Sequence, residues 1–215
     1  APAALSPDFA AGFHAFLARL KQEQPPLVIA KCETTGPISF ALTVVDENKR
    51  AMYYNEEFVD VVVKGLAMKC RWQIQQLKPL AQHVMCFVDE PILAGFGSST
   101  YVSVHGEDVV ERLNEVMEAM KGEGAICGIH CCGNTEWSIP IDAGAEVVNF
   151  DAYEYGDTIQ LYPDHMKAHL VERKNALAWG IVPTSDAIRE ESVGGLVERF
   201  ERVTDGLADK AGIDK

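Results

Sequence analysis

The sequence predicts an α/β protein whose core is a parallel β-sheet covered by helices. Short apolar runs, each suited to one buried strand, alternate with longer segments whose apolar residues recur at helical spacing. This alternation is typical of parallel sheets, because each parallel connection needs a crossover that a helix usually supplies. The five predicted strands cover residues 27–32, 83–88, 125–129, 146–150 and 176–182.

Helices are predicted between these strands from apolar stripes and capping residues. Ser6 is a suitable N-cap and Pro7 a suitable first-turn residue for a helix that runs to about Gln24 and carries Phe9 on its apolar stripe. The Pro25-Pro26 pair ends it. The remaining helices are predicted at about 55–77, 107–121, 137–143, 164–173 and 193–207.

Polar or reactive residues cluster where the predicted strands end. They are Glu33, Thr34 and Thr35, then Asp89 and Glu90, His130 and Cys132, Asp151, and finally Thr184, Ser185 and Asp186. A closed (β/α)8 barrel carries site residues after every strand, whereas an open sheet gathers them at a switch point. The pattern favours a TIM-type barrel formed by a single domain over residues 1–215. Since five strands cannot close it, either strands are hidden in predicted loops or the first and last strands are lacking.

Charge and hydropathy restrict the partners that we expect. The 215 residues carry a formal net charge of −13, which disfavours binding to nucleic acid or to anionic membranes. No apolar run approaches the roughly 20 residues that span a bilayer, and the first residues lack the pattern of a signal peptide. We therefore expect a cytoplasmic protein.

The six cysteines do not form the spacing of a small disulfide-rich domain. Cys32, Cys70 and Cys86 lie in apolar runs and are expected to be buried as small hydrophobic residues. Cys131 and Cys132 differ, because they follow a histidine and precede a glycine.

His130 and Cys132 place an imidazole and a thiol two residues apart at a strand end. Residues i and i+2 of a strand point to the same side, so both can reach one ion, while Cys131 should point away. If the strand ends early, Cys131 could be the ligand instead of Cys132. Mixed nitrogen and sulfur ligands suit zinc, and a catalytic zinc needs a third protein ligand and an open position. A thiol bound at such a metal loses its proton near neutral pH.

Four segments resemble one superfamily of barrels. Residues 128–135, Gly-Ile-His-Cys-Cys-Gly-Asn-Thr, resemble the H-x-C-G-[ND]-T segment of methylcobamide:coenzyme M methyltransferases, which are related to cobalamin-independent methionine synthase and to uroporphyrinogen decarboxylase. Residues 88–91 resemble the D-E-P strand end of methionine synthase. Residues 35–38 are similar to its T-G-P turn, and residues 145–151 to its A-D-V-I-x-I-E/D strand. The resemblance covers roughly residues 27–210.

The resemblance implies zinc as cofactor, bound by His130, Cys132 and a distant cysteine. In methionine synthase a glutamate of the next strand end joins them. That carboxylate corresponds to Asp151 by strand alignment or to Glu154 by spacing from the histidine, and both stay candidates. Asp151 could equally be a helix cap.

Three further site residues come from the same strand ends, and a fourth, Trp137, lies at the start of a predicted helix. The resemblance implies that Asp89 holds the amino group of an amino-thiol substrate, and Asp89 and Glu90 are the catalytic candidates. Thr35 and Trp137 are candidates for contact with the substrate. Three of these four residues have a structural alternative: the carboxylates could cap an element or form salt bridges, and Trp137 could be packed in the core.

The chain departs from the family pattern at both ends. No cysteine follows Cys132, and the chain stops at Lys215, where the strand with the distant cysteine should begin. The opening G-S-x-P strand is also missing. We therefore expect a longer protein, because the zinc site would otherwise lack a ligand.

The function predicted is zinc-dependent transfer of a methyl group to a small thiol, such as homocysteine or coenzyme M. The donor could be a methyl-corrinoid protein, methylcobalamin or a folate. One alternative is a uroporphyrinogen decarboxylase-like enzyme, but Lys31 is the only lysine or arginine in or beside the strand ends up to Asp186. Another is a non-catalytic module that binds zinc or a corrinoid protein.

Overall fold

The computed structural model describes residues 3–101 and 103–214, and it shows an α/β fold built on one parallel sheet. The strands are β1 (Ile29–Thr35), β2 (His83–Asp89), β3 (Ile126–Cys131), β4 (Val147–Phe150) and β5 (Ala176–Trp179). The α-helices are α1 (Ala11–Glu23), α2 (Pro37–Thr43), α3 (Glu56–Leu77), α4 (Gly106–Gly122), α5 (Ser138–Asp142), α6 (Ala152–Tyr155), α7 (Pro163–Lys167) and α8 (Val193–Ala211). The predicted α/β class and the parallel sheet are confirmed.

The strands follow one another across the sheet in chain order, and every neighbouring pair is parallel. One register row crosses all five strands, because Thr35 pairs with Asp89, Asp89 with His130, His130 with Asn149, and Asn149 with Ala178. Directly paired residues project from the same face of a sheet. The register therefore brings three of the predicted site residues onto one face, near the carboxyl ends of their strands.

The long helices α3 and α4 pack on the other face of the sheet. Asn55 begins α3, since its side-chain oxygen accepts a hydrogen bond from the Phe58 amide at 3.1 Å. Glu56 and Glu57 occupy the first turn, where negative charge is favoured by the helix dipole. Helix α3 contacts β1 and β2, and α4 contacts β3. These two helices agree with the predicted ranges to within one residue at each end.

A row of cysteines lies on the helix-covered face. Cys32 pairs with Cys86 and Cys86 with Cys127 across the first three strands, and all three are buried. Cys70 of α3 is fully buried and packs near Cys86. Burial raises the pKa of Cys127 to about 12, so this thiol stays protonated at neutral pH. The expectation that Cys32, Cys70 and Cys86 are buried is confirmed.

The opposite face is open at β1. Ala30, Cys32 and Thr34 are buried, whereas Lys31 and Glu33 alternate with them and are exposed. Further along the sheet the same face is filled locally, since Phe87 of β2 is buried and its ring lies over Gly128 of β3.

The first helix begins later than predicted. It starts at Ala11 rather than at Ser6, because the amides of Phe9 and Ala10 bond to the Ser6 carbonyl in a separate turn and Ala10 has a φ of −146°. Phe9 is consequently 91% exposed instead of lying on a buried stripe.

Two elements near the end of the sheet also differ from prediction. The helix predicted at 164–173 is α7 followed by a π-helical turn, Ala168–Glu172, which buries His169. Strand β5 ends at Trp179 rather than at 182, because the Ile181 amide bonds back to the Trp179 carbonyl in a tight turn. The short helices α2 and α6 were not predicted.

Among the described residues, no helix is long and apolar enough to cross a membrane.

Candidate active site

His130 and Asn149 form the centre of the register row. They lie on adjacent strands, and the His130 Nδ1 atom is 2.7 Å from the Asn149 Oδ1 atom. On its other side, the Asn149 Nδ2 atom donates a hydrogen bond of 2.9 Å to the Ala178 carbonyl of β5. Both side chains are half-buried. Three strands are thus joined by a chain of side-chain contacts at the face that carries the predicted site.

An open cleft of about 270 Å³ lies at the carboxyl ends of β3, β4 and β5. Its lining residues come from these strand ends and the segments that follow them: His130, Cys132, Asn149, Phe150, Asp151, Gly180, Val182 and Thr184. The structure therefore brings His130, Cys132 and Asp151 to one cleft, as the sequence predicted.

Cys131 and Cys132 separate to the two sides of the chain. Cys132 is exposed and lines the cleft, whereas Cys131 is 1% exposed on the helix-covered side. The Cys131 Sγ atom donates a hydrogen bond of 3.5 Å to the Gly133 carbonyl, and burial raises the pKa of this thiol to about 11. The prediction that Cys131 points away from the His130–Cys132 pair is confirmed.

The segment after Cys132 is held against the turn that follows β2. A Cβ atom at Gly133 would lie 2.5 Å from the Ala94 Cβ atom, so the close approach requires glycine. The Thr135 Oγ1 atom donates a hydrogen bond of 2.8 Å to the Leu93 carbonyl. Gly133 and Thr135 therefore have structural roles in positioning the strand end that carries Cys132.

Of the two candidate carboxylates, Asp151 lines the cleft and Glu154 does not. Asp151 also caps α6, since its Oδ1 atom accepts a hydrogen bond of 3.1 Å from the Glu154 amide. The Glu154 side chain is exposed on α6. Asp151 therefore both caps α6 and lines the cleft.

Asp89 and Thr35 continue the register row beyond the cleft. Asp89 is half-buried beside His130, and burial and the nearby Glu33 raise the pKa of its carboxyl, while His130 and Lys31 oppose that rise. Thr35 is exposed at the end of β1, two strands away from His130. Neither residue lines the cleft, so a substrate would need to extend along the row to contact them.

Glu90 lies away from the cleft, contrary to its predicted catalytic role. It is fully buried and accepts hydrogen bonds from the Ile38 amide at 2.9 Å, the Ser39 amide at 2.7 Å and the Ser39 hydroxyl at 2.6 Å. Gly36 gives it room, because a Cβ atom there would lie 2.1 Å from the Glu90 Oε1 atom. Burial raises the pKa of Glu90 to about 7 against the opposing effect of these donors. The residue clamps the start of α2 and has no surface to offer a substrate.

Trp137 lies in the core and does not line the cleft. Its side chain is fully buried, its ring packs against Phe150 at 5.2 Å between centroids, and its Nε1 atom donates to the Thr158 hydroxyl at 3.1 Å. Trp137 packs beneath the cleft without lining it, because it contacts the ring of Phe150, one of the lining residues. The core-packing alternative therefore holds.

The donor atoms fit a partial zinc site. Within residues 3–101 and 103–214, no group of three or more histidine, cysteine, aspartate or glutamate side chains converges in a way that could hold a metal ion. Cys132 is exposed, and the only hydrogen bond of the His130 ring among the described residues involves Nδ1. A nitrogen and a sulfur donor thus face one cleft, which is the chemistry that zinc prefers, but a third ligand is not assembled with them.

The sequence interpretation missed Asn149, Phe150 and Val182 as residues of the cleft. Asn149 had a usable signal, since it is a polar residue within an apolar strand and lies two positions before Asp151. Val182 had none, because the predicted strand extended to this residue, whereas β5 ends three residues earlier, at Trp179.

Comparisons with known proteins add little to this geometry. No family model matches the chain, and no curated protein matches it. A crystal structure of 2,3-dimethylmalate lyase, a PEP mutase/isocitrate lyase superfamily member, aligns over 94% of this chain and 90% of that chain, with 13% identity and a TM-score of 0.32. A likeness at that level supports no statement about fold or activity.

Proposed function

We propose that this chain belongs to a zinc-dependent methyltransferase that transfers a methyl group to a small thiol. The observation that carries the proposal is the shared cleft of His130 and Cys132 at the carboxyl edge of a parallel sheet, with Cys131 packed on the opposite side. This is the arrangement that the resemblance to methylcobamide:coenzyme M methyltransferases and methionine synthase implies for the metal ligands.

We further infer that the sheet is part of a (β/α)8 TIM-type barrel. Its strands are parallel and adjacent in chain order, and the main helices pack on one face. All-parallel sheets are normally covered on both faces, yet β1 exposes Lys31 and Glu33. Closure into a barrel would turn this open face inward and would place the cleft at the end where such barrels carry their sites.

Zinc would be held by His130 and Cys132. Asp151 is the candidate third ligand from this chain, and it would have to leave its position as the cap of α6. A bound zinc supplies Lewis acidity that lowers the pKa of a substrate thiol, which makes the sulfur nucleophilic near neutral pH.

The other cleft residues would bind and orient the substrate. Val182 gives the cleft an apolar wall beside the reacting sulfur. Asp89, one strand away from His130, offers a carboxylate to a substrate amino group that extends along the register row. This position favours an amino-thiol such as homocysteine as the acceptor. A corrinoid protein, methylcobalamin or a folate could supply the methyl group.

Zinc analysis of matched variants tests the metal site. We expect one equivalent of zinc in the purified protein, its loss in His130→Ala and Cys132→Ser, and its retention in Cys131→Ser, which changes the neighbouring buried thiol. Full zinc content in the first two variants would contradict the assignment. Methyl transfer from methylcobalamin or methyl-tetrahydrofolate to a panel of thiols then separates the transferase from a module that only binds zinc.

A further inference from the structure

We infer that Asn149 is a positioning residue that fixes His130 in the tautomer with its proton on Nδ1, so that the Nε2 lone pair is available to the cleft. The assignment of the tautomer depends only on the hydrogen bonds of the sheet. The use of Nε2 as a metal ligand rests on the proposed function.

The orientation of the Asn149 amide is set by β5. Its outer contact is the Ala178 carbonyl at 2.9 Å, and a carbonyl can only accept a hydrogen bond. The amide NH2 group must therefore face Ala178, which leaves the Oδ1 atom facing His130 at 2.7 Å. The reverse orientation would place two carbonyl oxygens against each other.

The orientation of the amide then decides the state of the imidazole. An amide oxygen also only accepts, so the His130 Nδ1 atom must carry a proton and donate it to Asn149. In the neutral ring the second nitrogen, Nε2, is then unprotonated. No described residue bonds to Nε2, and His130 lines the cleft, so the free lone pair has no competing partner within the described part of the chain.

The alternation of side chains along β4 determines that Asn149 faces His130. Val148 and Phe150 are buried on the other face of β4, and the alternation of a strand then directs Asn149 to the face of His130. Histidines that bind metals commonly donate their other ring N–H to such an acceptor, which orients the ring and raises its basicity. Here a neutral amide, itself tied to a third strand, supplies the acceptor.

Nitrogen-15 NMR of the metal-free protein tests the tautomer. At alkaline pH we expect His130 to show a protonated Nδ1 and a bare Nε2. Asn149→Leu, similar in volume and without an acceptor, should shift the ring toward a mixture of tautomers. Asn149→Asp loses the hydrogen bond to the Ala178 carbonyl but keeps an acceptor for Nδ1, so it should retain the Nδ1–H form. Asn175→Leu, which removes another half-buried amide that bonds to a carbonyl, is the matched control and should leave His130 unchanged.

Cobalt(II) binding, followed by visible absorption, provides the second readout. We expect Asn149→Leu to weaken cobalt binding about 10- to 100-fold, with a much smaller loss in Asn149→Asp. Circular dichroism confirms that each variant is folded. A protonated Nε2 in the unaltered protein, or an unchanged tautomer in folded Asn149→Leu, would overturn the inference. If the tautomer behaves as expected but neither cobalt nor zinc binds, the positioning role stands and the proposed metal function fails.

Discussion

Replacement of Glu90 by glutamine gives the sharpest test of how the segments that follow β1 and β2 are held together. The carboxylate is fully buried and contacts Ile38 and Ser39 at the start of α2, so it joins the end of β1 to the end of β2. Glutamine keeps the shape but replaces one acceptor oxygen by an NH2 group. One buried amide donor then loses its acceptor, which costs about 1–3 kcal/mol of unfolding free energy.

The pH dependence of that loss follows from the raised pKa of Glu90. The value in the folded chain is about 7 against an ordinary value of 4.5, so the folded state binds a proton that the unfolded state has released across this interval. A raised pKa contributes stability that is complete below 4.5 and is lost as the pH rises through about 7. At about 1.4 kcal/mol per pH unit, the contribution falls by about 3 kcal/mol over the interval.

Urea denaturation of the unaltered protein and of Glu90→Gln measures this contribution by difference. The stability advantage of the unaltered protein should decrease by about 2 kcal/mol between pH 5.5 and pH 7. Other titrating groups cancel, because both proteins contain them. An advantage that grows with pH would refute the reasoning, since it would mean that the three donors favour the carboxylate by more than burial disfavours it.

Three further predictions concern the sheet and its helices. A Cβ atom at Gly128 would lie 2.4 Å from the Phe87 ring, so Gly128→Ala should destabilise the fold by about 1–3 kcal/mol in urea denaturation, and adding Phe87→Leu should restore part of the loss. Burial lowers the pKa of His169 below its ordinary 6.5, so its contribution to stability is present above that pH and is lost as the pH falls, a dependence that should vanish in His169→Gln. Asn55→Ala removes the acceptor for the Phe58 amide and should lower the unfolding free energy by about 1 kcal/mol, whereas Asn55→Asp should retain most of it.

Most of the strands and helices could be predicted from the sequence, because each is indicated by residues within its own segment. Each buried strand is an apolar run, and α3 and α4 combine a long periodic stripe with clear end signals, so their limits were predicted closely. The errors lie where a few hydrogen bonds outweigh the pattern. At the first helix, the turn that ends at Ala10 left the apolar Phe9 in solvent.

The site was predicted less evenly, for a physical reason. His130 and Cys132 share a cleft because two-residue spacing on one strand already fixes their common side, which needs no tertiary information. Glu90 was placed in the site by its motif and Trp137 without one, and their true positions depend on burial by distant segments, α2 and the Thr158 turn. Neighbours in sequence can therefore separate completely, as Asp89 on the open face and the buried Glu90 do.

The register of β4 links the stability of the sheet to the chemistry of the cleft. The same alternation that buries Val148 and Phe150 delivers Asn149 to His130, so a shift of one residue would expose two large apolar side chains and would also remove the acceptor from Nδ1. Burial of Val148 and Phe150 on one face of β4 therefore fixes the position of Asn149 on the other. An asparagine in the middle of an apolar strand is unfavourable for the strand itself, and it gains compensation only where His130 and Ala178 flank it in register. This dependence on both neighbouring strands explains why its role follows from the sheet and not from any segment of the sequence alone.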